Sequence, residues 1–142
     1  MPEGNGLTEF EELYLEFQRK ISAEWHKRLD RLVSASQGKI LWMLEYRGPQ
    51  RVSVLADRLG ITPGAVTSLS NKLISSGYAL RMQDSNDRRV VMLEITEKGR
   101  EVLKKFRMET KSTVKHFFAG LSDEDIDHLI RIYQQVMKNI DQ

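Results

Sequence analysis

Apolar side chains recur with the period of an α-helix at both ends of the chain and with the period of a β-strand in one central stretch. Over residues 8–35, an apolar residue returns every three or four positions, which predicts one long helix. Thr8 followed by Glu11 has the spacing of a capping box, so we expect the helix to begin there. Residues 34–38 are expected to end it. The apolar positions are Phe10, Leu13, Tyr14, Phe17, Ile21, Trp25, Leu29 and Leu32.

Two shorter helices are predicted next, over residues 39–46 and 54–59. Ser53 has the side chain of a helix cap and directly precedes the second of them. Gly60 follows its last turn, where a left-handed residue commonly ends a helix. The pair therefore leads into a tight turn.

A fourth helix, residues 63–76, has a strong start signal in Thr62-Pro63, because proline lacks an amide that would be unpaired at the first helical position. One face is apolar, with Val66, Leu69, Leu73 and Ile74. The other carries only small or hydrogen-bonding side chains, at Pro63, Gly64, Ala65, Thr67, Ser68, Asn71 and Lys72. Such a face fits the major groove of DNA, which is ~12 Å wide. The alternative is that this face is merely solvated. An ordinary surface helix would favour Glu and Lys there, because Ser and Thr are weaker helix formers.

Residues 78–83 alternate as in a strand, a polar turn follows, and residues 90–95 are predicted as the returning strand of a β-hairpin. Arg88 and Arg89 lie at its tip, where no core burial explains them. An arginine there can enter a narrow, electronegative minor groove. Asp84 and Asp87 are expected to have a structural role, with Asp87 fixing the turn by pairing with an arginine.

Two more helices follow, one capped by Thr96 and one beginning at Ser122 with Asp125 at the capping-box position. The apolar stripe of the last helix, like that of residues 8–35, is too long to belong to the compact central unit. We expect these stripes to form a shared core in a homodimer. The alternative is that they fold back on their own chain. The last stripe comprises Ile126, Leu129, Ile130, Tyr133, Val136, Met137 and Ile140.

Composition excludes several classes of protein. The 142 residues include no Cys, so disulfides, thiolate zinc sites and cysteine redox sensing are excluded. The longest apolar run, residues 40–44, is far shorter than the ~20 residues of a membrane span. The acidic, polar N-terminus is unlike a secretory signal. We therefore expect a soluble, cytoplasmic protein of one domain with no membrane contact.

No enzyme signature is present. The three His residues have no i,i+3 or i,i+4 spacing, and no phosphate loop, G-x-S-x-G motif or Cys nucleophile occurs. A composite zinc site from Glu24, His116 and Glu109 stays open, but nothing singles it out. We predict no catalytic residue, no metal and no cofactor.

The order of elements predicts a mostly α protein with a small β-hairpin wing. Residues 37–96 form a winged helix-turn-helix lobe, and residues 8–35 with 97–140 form a helical dimerisation region. Residues 51–100 carry 8 basic and 5 acidic side chains, whereas both flanks are nearly neutral. The partner we expect is double-stranded DNA. A winged helix that contacts only proteins is the alternative, and it should have an apolar or acidic recognition face.

Four segments resemble the MarR family of bacterial transcriptional regulators: residues 55–67, 73–78, 84–89 and 93–99. The third is the most specific, since an acidic turn followed by paired arginines marks that family's wing. The resemblance implies an obligate homodimer that binds a palindromic operator. The chain lacks the Cys of the peroxide-sensing branch, so that chemistry does not carry over.

The resemblance also implies a small, aromatic or phenolic ligand bound between the dimer frame and the DNA-binding lobe. Aromatic residues that could line such a pocket are Tyr14, Trp25, Trp42, Phe106 and Phe117. Each of them could instead be an ordinary core or interface residue.

Overall fold

The computed structural model describes residues 5–29 and 32–142, which are mostly helical with one three-stranded antiparallel sheet. The chain divides into two compact units, with the boundary after Thr110. In the described ranges, no helix is long and apolar enough to cross a membrane. The elements in chain order are α1 Asn5–Leu29, α2 Ala35–Arg47, β1 Gln50–Arg51, α3 Val52–Leu59, α4 Pro63–Ser75, β2 Ala79–Gln83, β3 Val91–Ile95, α5 Glu97–Phe117 and α6 Asp123–Ile140.

The predicted start of the first helix is wrong. Helix α1 begins at Asn5, so Thr8 lies inside the helix and not at its cap. A capping-box spacing can occur within a helix as well as at its start, so the pair alone does not fix the boundary. The predicted helix also crossed Asp30 and Arg31, which lie outside the described residues.

The predicted start of the second helix at residue 39 is wrong, because α2 begins at Ala35 with Ser34 as its N-cap. The Ser34 hydroxyl accepts from the Gln37 amide at 3.2 Å, and the Gln37 side chain accepts from the Ser34 amide at 2.9 Å. This reciprocal pair is a capping box. Glycine is needed at position 38 inside the helix, because a Cβ there would lie only 2.5 Å from the Phe106 ring.

The turn between α3 and α4 confirms two sequence signals and corrects a third. Gly60 is left-handed, with φ 66°. The Thr62 hydroxyl accepts from the Ala65 amide at 3.1 Å, and Pro63 is the first residue of α4. The prediction of Ser53 as a cap is wrong, because α3 begins at Val52 with no side-chain cap.

Strands β2 and β3 form the expected hairpin, in antiparallel register from Ala79 opposite Ile95 to Gln83 opposite Val91. Strand β1 pairs with the other edge of β3 and was not predicted, since two residues cannot show a period. In β2 the buried residue is Ala79, which places Arg81 on the same face.

The core of the first unit gathers buried apolar side chains from α2, α3, α4, the sheet and α5. Helix α4 is fixed by Val66 and Leu73, both fully buried. Ser70 is also buried, and its hydroxyl is satisfied by donating to the Val66 carbonyl at 2.6 Å. The opposite face of α4 is therefore left exposed.

The second unit, Lys111–Gln142, contains the end of α5 and all of α6. The predicted start of α6 is confirmed, because the Ser122 hydroxyl accepts from the Asp125 amide at 3.1 Å. No residue of α6 is buried. Its exposed apolar side chains are Ile130, Ile132, Tyr133, Val136, Met137 and Ile140.

Candidate nucleic-acid interface

The exposed face of helix α4 carries the residues that the sequence assigns to DNA. Val66 and Leu73 point into the core, so side chains on the opposite face reach solvent. Ala65 is half-buried, and the other predicted contacts on this helix are exposed. These exposed residues are Thr62, Pro63, Thr67, Ser68, Asn71 and Lys72.

Two of these side chains already make hydrogen bonds within the lobe. The Thr67 hydroxyl donates to the Pro63 carbonyl at 3.0 Å. Asn71 Oδ1 accepts from Arg81 Nη2 at 2.6 Å, which ties α4 to strand β2. Sequence reasoning missed Arg81. The sequence carries no signal for this contact, because only the structure shows that Ala79, on the same face of the strand as Arg81, is buried.

The base of the wing is held by Asp84. Its side chain is only 8% exposed, and its Oδ2 accepts from Arg51 Nη2 at 2.6 Å. Its Oδ1 accepts from the Asn86 amide at 2.9 Å. The Asn86 amide, followed by the Arg51 guanidinium, holds the pKa of Asp84 below its usual value. Arg51 is thus paired inside the lobe, although about half of its side chain is exposed.

The tip of the wing is organised by Asp87. Its carboxylate accepts from the Arg89 side chain at 3.2 Å and from the Arg89 amide at 3.0 Å. These two bonds, the side-chain bond foremost, lower the pKa of Asp87. The Arg89 side chain is still 91% exposed. Arg88 is exposed as well, and no ion pair joins it to any residue that the structure describes.

A groove of about 620 Å³ lies between α4 and the wing. Three arginines, Arg51, Arg81 and Arg89, line it, whereas its described lining includes no carboxylate. Arg51 and Arg89 pair with Asp84 and Asp87, which lie outside this lining, so among the described residues the groove arginine without a carboxylate partner is Arg81. A cation beside a polar helix face is the electrostatic pattern expected at a site for polyanions. Its other lining residues are Val52, Ser53, Thr67, Ser70, Asn71, Val90, Val91 and Leu93.

A second cavity, of about 460 Å³, lies in the first unit and includes two of the five aromatic residues predicted to line a ligand pocket. Trp25 of α1 and Phe106 of α5 face it together with Lys39 of α2. Most of its surface is apolar. The remaining lining residues are Gln18, Ile21, Ser22, His26, Leu29, Ala35 and Thr110.

The other three predicted aromatics do not line this cavity. Tyr14 is exposed and accepts from Gln18 Nε2 at 3.0 Å. Trp42 is exposed, with its ring 5.0 Å from that of Tyr46. Phe117 belongs to the second unit, where its ring lies 6.3 Å from that of His116.

No group of three metal-binding side chains occurs among the residues that the structure describes. Glu24 of the open zinc hypothesis accepts instead from Arg28 Nε at 2.8 Å, one helical turn away. The described part of the chain thus offers no metal centre beside the polar groove.

Two helices joined by a glycine turn and followed by a two-stranded wing define the winged helix-turn-helix class. Residues 33–91 match the family model described as MarR family. YkoM of Bacillus subtilis, described as an uncharacterized HTH-type transcriptional regulator, is 36% identical over 64% of this chain, which spans 59% of the length of YkoM. The winged helix-turn-helix lobe of this chain is therefore similar to the MarR family, and YkoM is described as a transcriptional regulator.

Solved structures share the fold of this chain. The transcriptional regulator BldR from Sulfolobus solfataricus has a TM-score of 0.76 and 26% identity, with 98% of this chain and 99% of BldR covered. A mutant of E. coli MarR complexed with operator DNA has a TM-score of 0.75 and 20% identity, with 96% of this chain and 99% of the MarR chain covered. The second likeness shows the shared fold.

Proposed function

We propose that this protein is a sequence-specific regulator that binds a pseudo-palindromic operator as a homodimer in the cytoplasm. One observation carries the proposal: the exposed polar face of α4 lies beside a groove lined by Arg51, Arg81 and Arg89. A helix in the major groove reads base edges, while basic side chains neutralise phosphates on either side. The E. coli MarR–operator complex, which has the same fold, supports this use of the lobe.

Residues along α4 divide into two roles in this proposal. Thr67, Ser68 and Asn71 lie on the exposed middle of the helix and read base edges. Lys72 contacts a phosphate as a point charge. Thr62, Pro63 and Ala65 form the N-terminal end, where the helix dipole favours a phosphate.

The homodimer in the proposal rests on exposed apolar side chains in α1 and α6. Phe10 and Leu13 of α1 are more than 60% exposed, as is Ile140 of α6. Covering such area stabilises an interface by ~25 cal/mol per Å². A two-fold dimer carries two recognition helices, so the half-sites should lie about one helical turn apart, ~10 bp centre to centre.

A small aromatic or phenolic effector that modulates DNA binding completes the proposal. The cavity beside Trp25 and Phe106 has about 460 Å³, within the ~300–1,000 Å³ range of ligand sites. Its surface is mostly apolar, while Lys39 offers a cation to an anionic or phenolic oxygen. A ligand here would touch helices α1, α2 and α5 together.

The test compares the wing with the recognition helix. Arg88→Ala with Arg89→Ala should weaken binding to every duplex and reduce the salt slope by ~0.9 for each phosphate charge no longer neutralised. Ser68→Ala or Thr67→Ala should change which operator is preferred and leave the slope nearly intact, because a hydroxyl releases no counterions. Fluorescence anisotropy against salt concentration measures both effects.

Circular dichroism of each variant controls for folding. If the double arginine variant keeps its affinity and slope, the wing does not contact DNA. If the wild-type protein binds a matched and a scrambled duplex equally at ~150 mM salt, sequence-specific regulation is rejected, and a winged helix that contacts proteins becomes the better proposal.

A further inference from the structure

The bond between Asn71 and Arg81 fixes how the recognition helix presents an amide to its groove. Asn71 Oδ1 lies 2.6 Å from Arg81 Nη2. An arginine side chain has five donors and no acceptor, so only the oxygen of the amide can face it. The Nδ2 group of Asn71, with its two N–H donors, must then face away from Arg81.

The same bond changes the electrostatics of the amide. Arg81 is permanently charged, and hydrogen bonds to charged donors are stronger than neutral ones. A positive charge beside Oδ1 repels any second donor that approaches this oxygen. It also polarises the amide, which makes the Nδ2 hydrogens better donors. Both residues line the groove next to the exposed face of α4.

We propose that Arg81 is a positioning residue, which orients the Asn71 amide so that its Nδ2 group donates to acceptors on a base edge. The pair thereby selects guanine over adenine at the base that Asn71 contacts. The inference rests on the proposed function, since it requires α4 to lie in the major groove. It concerns which base Asn71 reads, a question that the DNA-binding proposal leaves open.

The major-groove edges of the two purines explain the selection. Guanine presents two neighbouring acceptors, O6 and N7, to a donor group. Adenine presents the N7 acceptor and the N6 amino donor, so its usual bidentate contact with asparagine needs Oδ1 as an acceptor. The Arg81 guanidinium already donates to this oxygen and places a positive charge next to it. The amide oxygen keeps a second lone pair, but the charge of Arg81 disfavours another donor there. The adenine contact is therefore weakened at one of its two bonds, whereas the guanine contact is unaffected.

The experiment first selects operators for the wild-type protein from a duplex library with a random core. The position read by residue 71 is the one whose base preference disappears in Asn71→Ala. Two duplexes that differ only there, as guanine or adenine, are then titrated against wild type, Arg81→Met, Arg81→Lys and Arg89→Met. Arg89→Met is the matched control, because Arg89 lines the same groove but pairs with Asp87.

Wild type should prefer the guanine duplex by roughly fivefold or more, since a good bidentate contact discriminates by that much. Arg81→Met should bring the preference below about twofold or reverse it, because the amide can now rotate and read adenine. Arg81→Lys retains a charged donor and should preserve the preference. Arg89→Met should weaken both duplexes equally and keep their ratio.

Several results would overturn the inference. One is an adenine preference in wild type, another is an Asn71→Ala variant whose base preferences equal those of wild type, and a third is an unchanged ratio in Arg81→Met. If wild type binds its selected operator specifically in these cases, only the Arg81–Asn71 inference fails. If wild type does not distinguish selected from scrambled duplexes, the proposed function fails as well.

Discussion

Helices α4 and α6 have similar apolar periodicity in sequence but opposite burial in the structure. In α4, Val66 and Leu73 are fully buried under α2, α3 and the sheet. In α6, Met137 is 55% exposed and Ile140 is 73% exposed. The hydrophobic period thus predicts that a helix forms and which face is apolar. It does not predict whether the surface that covers this face lies in the same chain.

This difference assigns the two regions to different levels of organisation. The winged lobe builds its core from segments of one chain, so its apolar stripes are buried when that chain folds. The exposed stripe of α6 keeps apolar area in water, which costs ~25 cal/mol per Å² until a partner covers it. A contiguous exposed stripe of this kind marks an interaction surface, and a second copy of the chain is the partner that we propose.

The largest effect is expected from charges placed on the α6 stripe. Ile130→Glu with Met137→Glu puts two carboxylates, seven residues apart, into the proposed interface. The dimer should dissociate, and affinity for the full operator should fall by roughly a hundredfold or more, because two linked half-site contacts become independent. Analytical ultracentrifugation measures the mass of the protein in solution, and fluorescence anisotropy measures its affinity for the operator.

His128→Glu with Gln135→Glu is the matched control, with the same spacing on the opposite face of α6. It should remain a dimer and keep its operator affinity to within a few-fold. A double glutamate variant of the stripe that still sediments as a dimer would show that α6 does not form the interface.

An effect of intermediate size is expected from the core of the lobe. Leu73→Ala removes a fully buried side chain and should lower the free energy of unfolding by ~2–5 kcal/mol, while the protein remains a dimer. Lys72→Ala, one residue away on the exposed face, should cost less than ~0.5 kcal/mol. Urea unfolding at one fixed protein concentration measures both, since dimer stability depends on concentration. Equal costs would contradict the contrast between the two faces of α4.

Much of the lobe was predictable because its signals are local. The Thr62-Pro63 start and the Gly60 turn each depend on one or two adjacent residues, and the structure has both. Ser34 and Gly38 led to a wrong helix boundary because serine and glycine occur both where helices end and where they begin. Gly38 is helical for a reason outside its own segment, namely the Phe106 ring that occupies the space of a Cβ.

The site was harder to predict than the fold. The bond between Asn71 and Arg81 joins a helix to a strand, and no local period links the two positions. Strand β1 could not be predicted either, since it exists only through pairing with β3. Aromatic identity likewise did not distinguish Trp25, which lines the cavity, from Trp42, which does not.

The smallest effect is expected from the ion pair at the base of the wing. Asp84→Asn keeps an oxygen that can accept from the Asn86 amide but removes the charge that pairs with Arg51. The variant should be slightly less stable than wild type at pH 7, by less than Leu73→Ala. Asp87→Asn should cost less still, because its partner Arg89 is almost fully exposed.

The pH dependence gives this last prediction its sign. A lowered pKa means that the folded protein holds the Asp84 proton less tightly than the unfolded chain, whose aspartates titrate near ~3.9. Ionised Asp84 therefore stabilises the lobe above about pH 4, and this stabilisation is lost as the pH falls through the lower, folded-state pKa. Wild type and Asp84→Asn should differ in urea midpoint at pH 7 and converge in strong acid. A difference that stays constant down to the lowest pH at which both fold would show that the charge of Asp84 does not stabilise the wing.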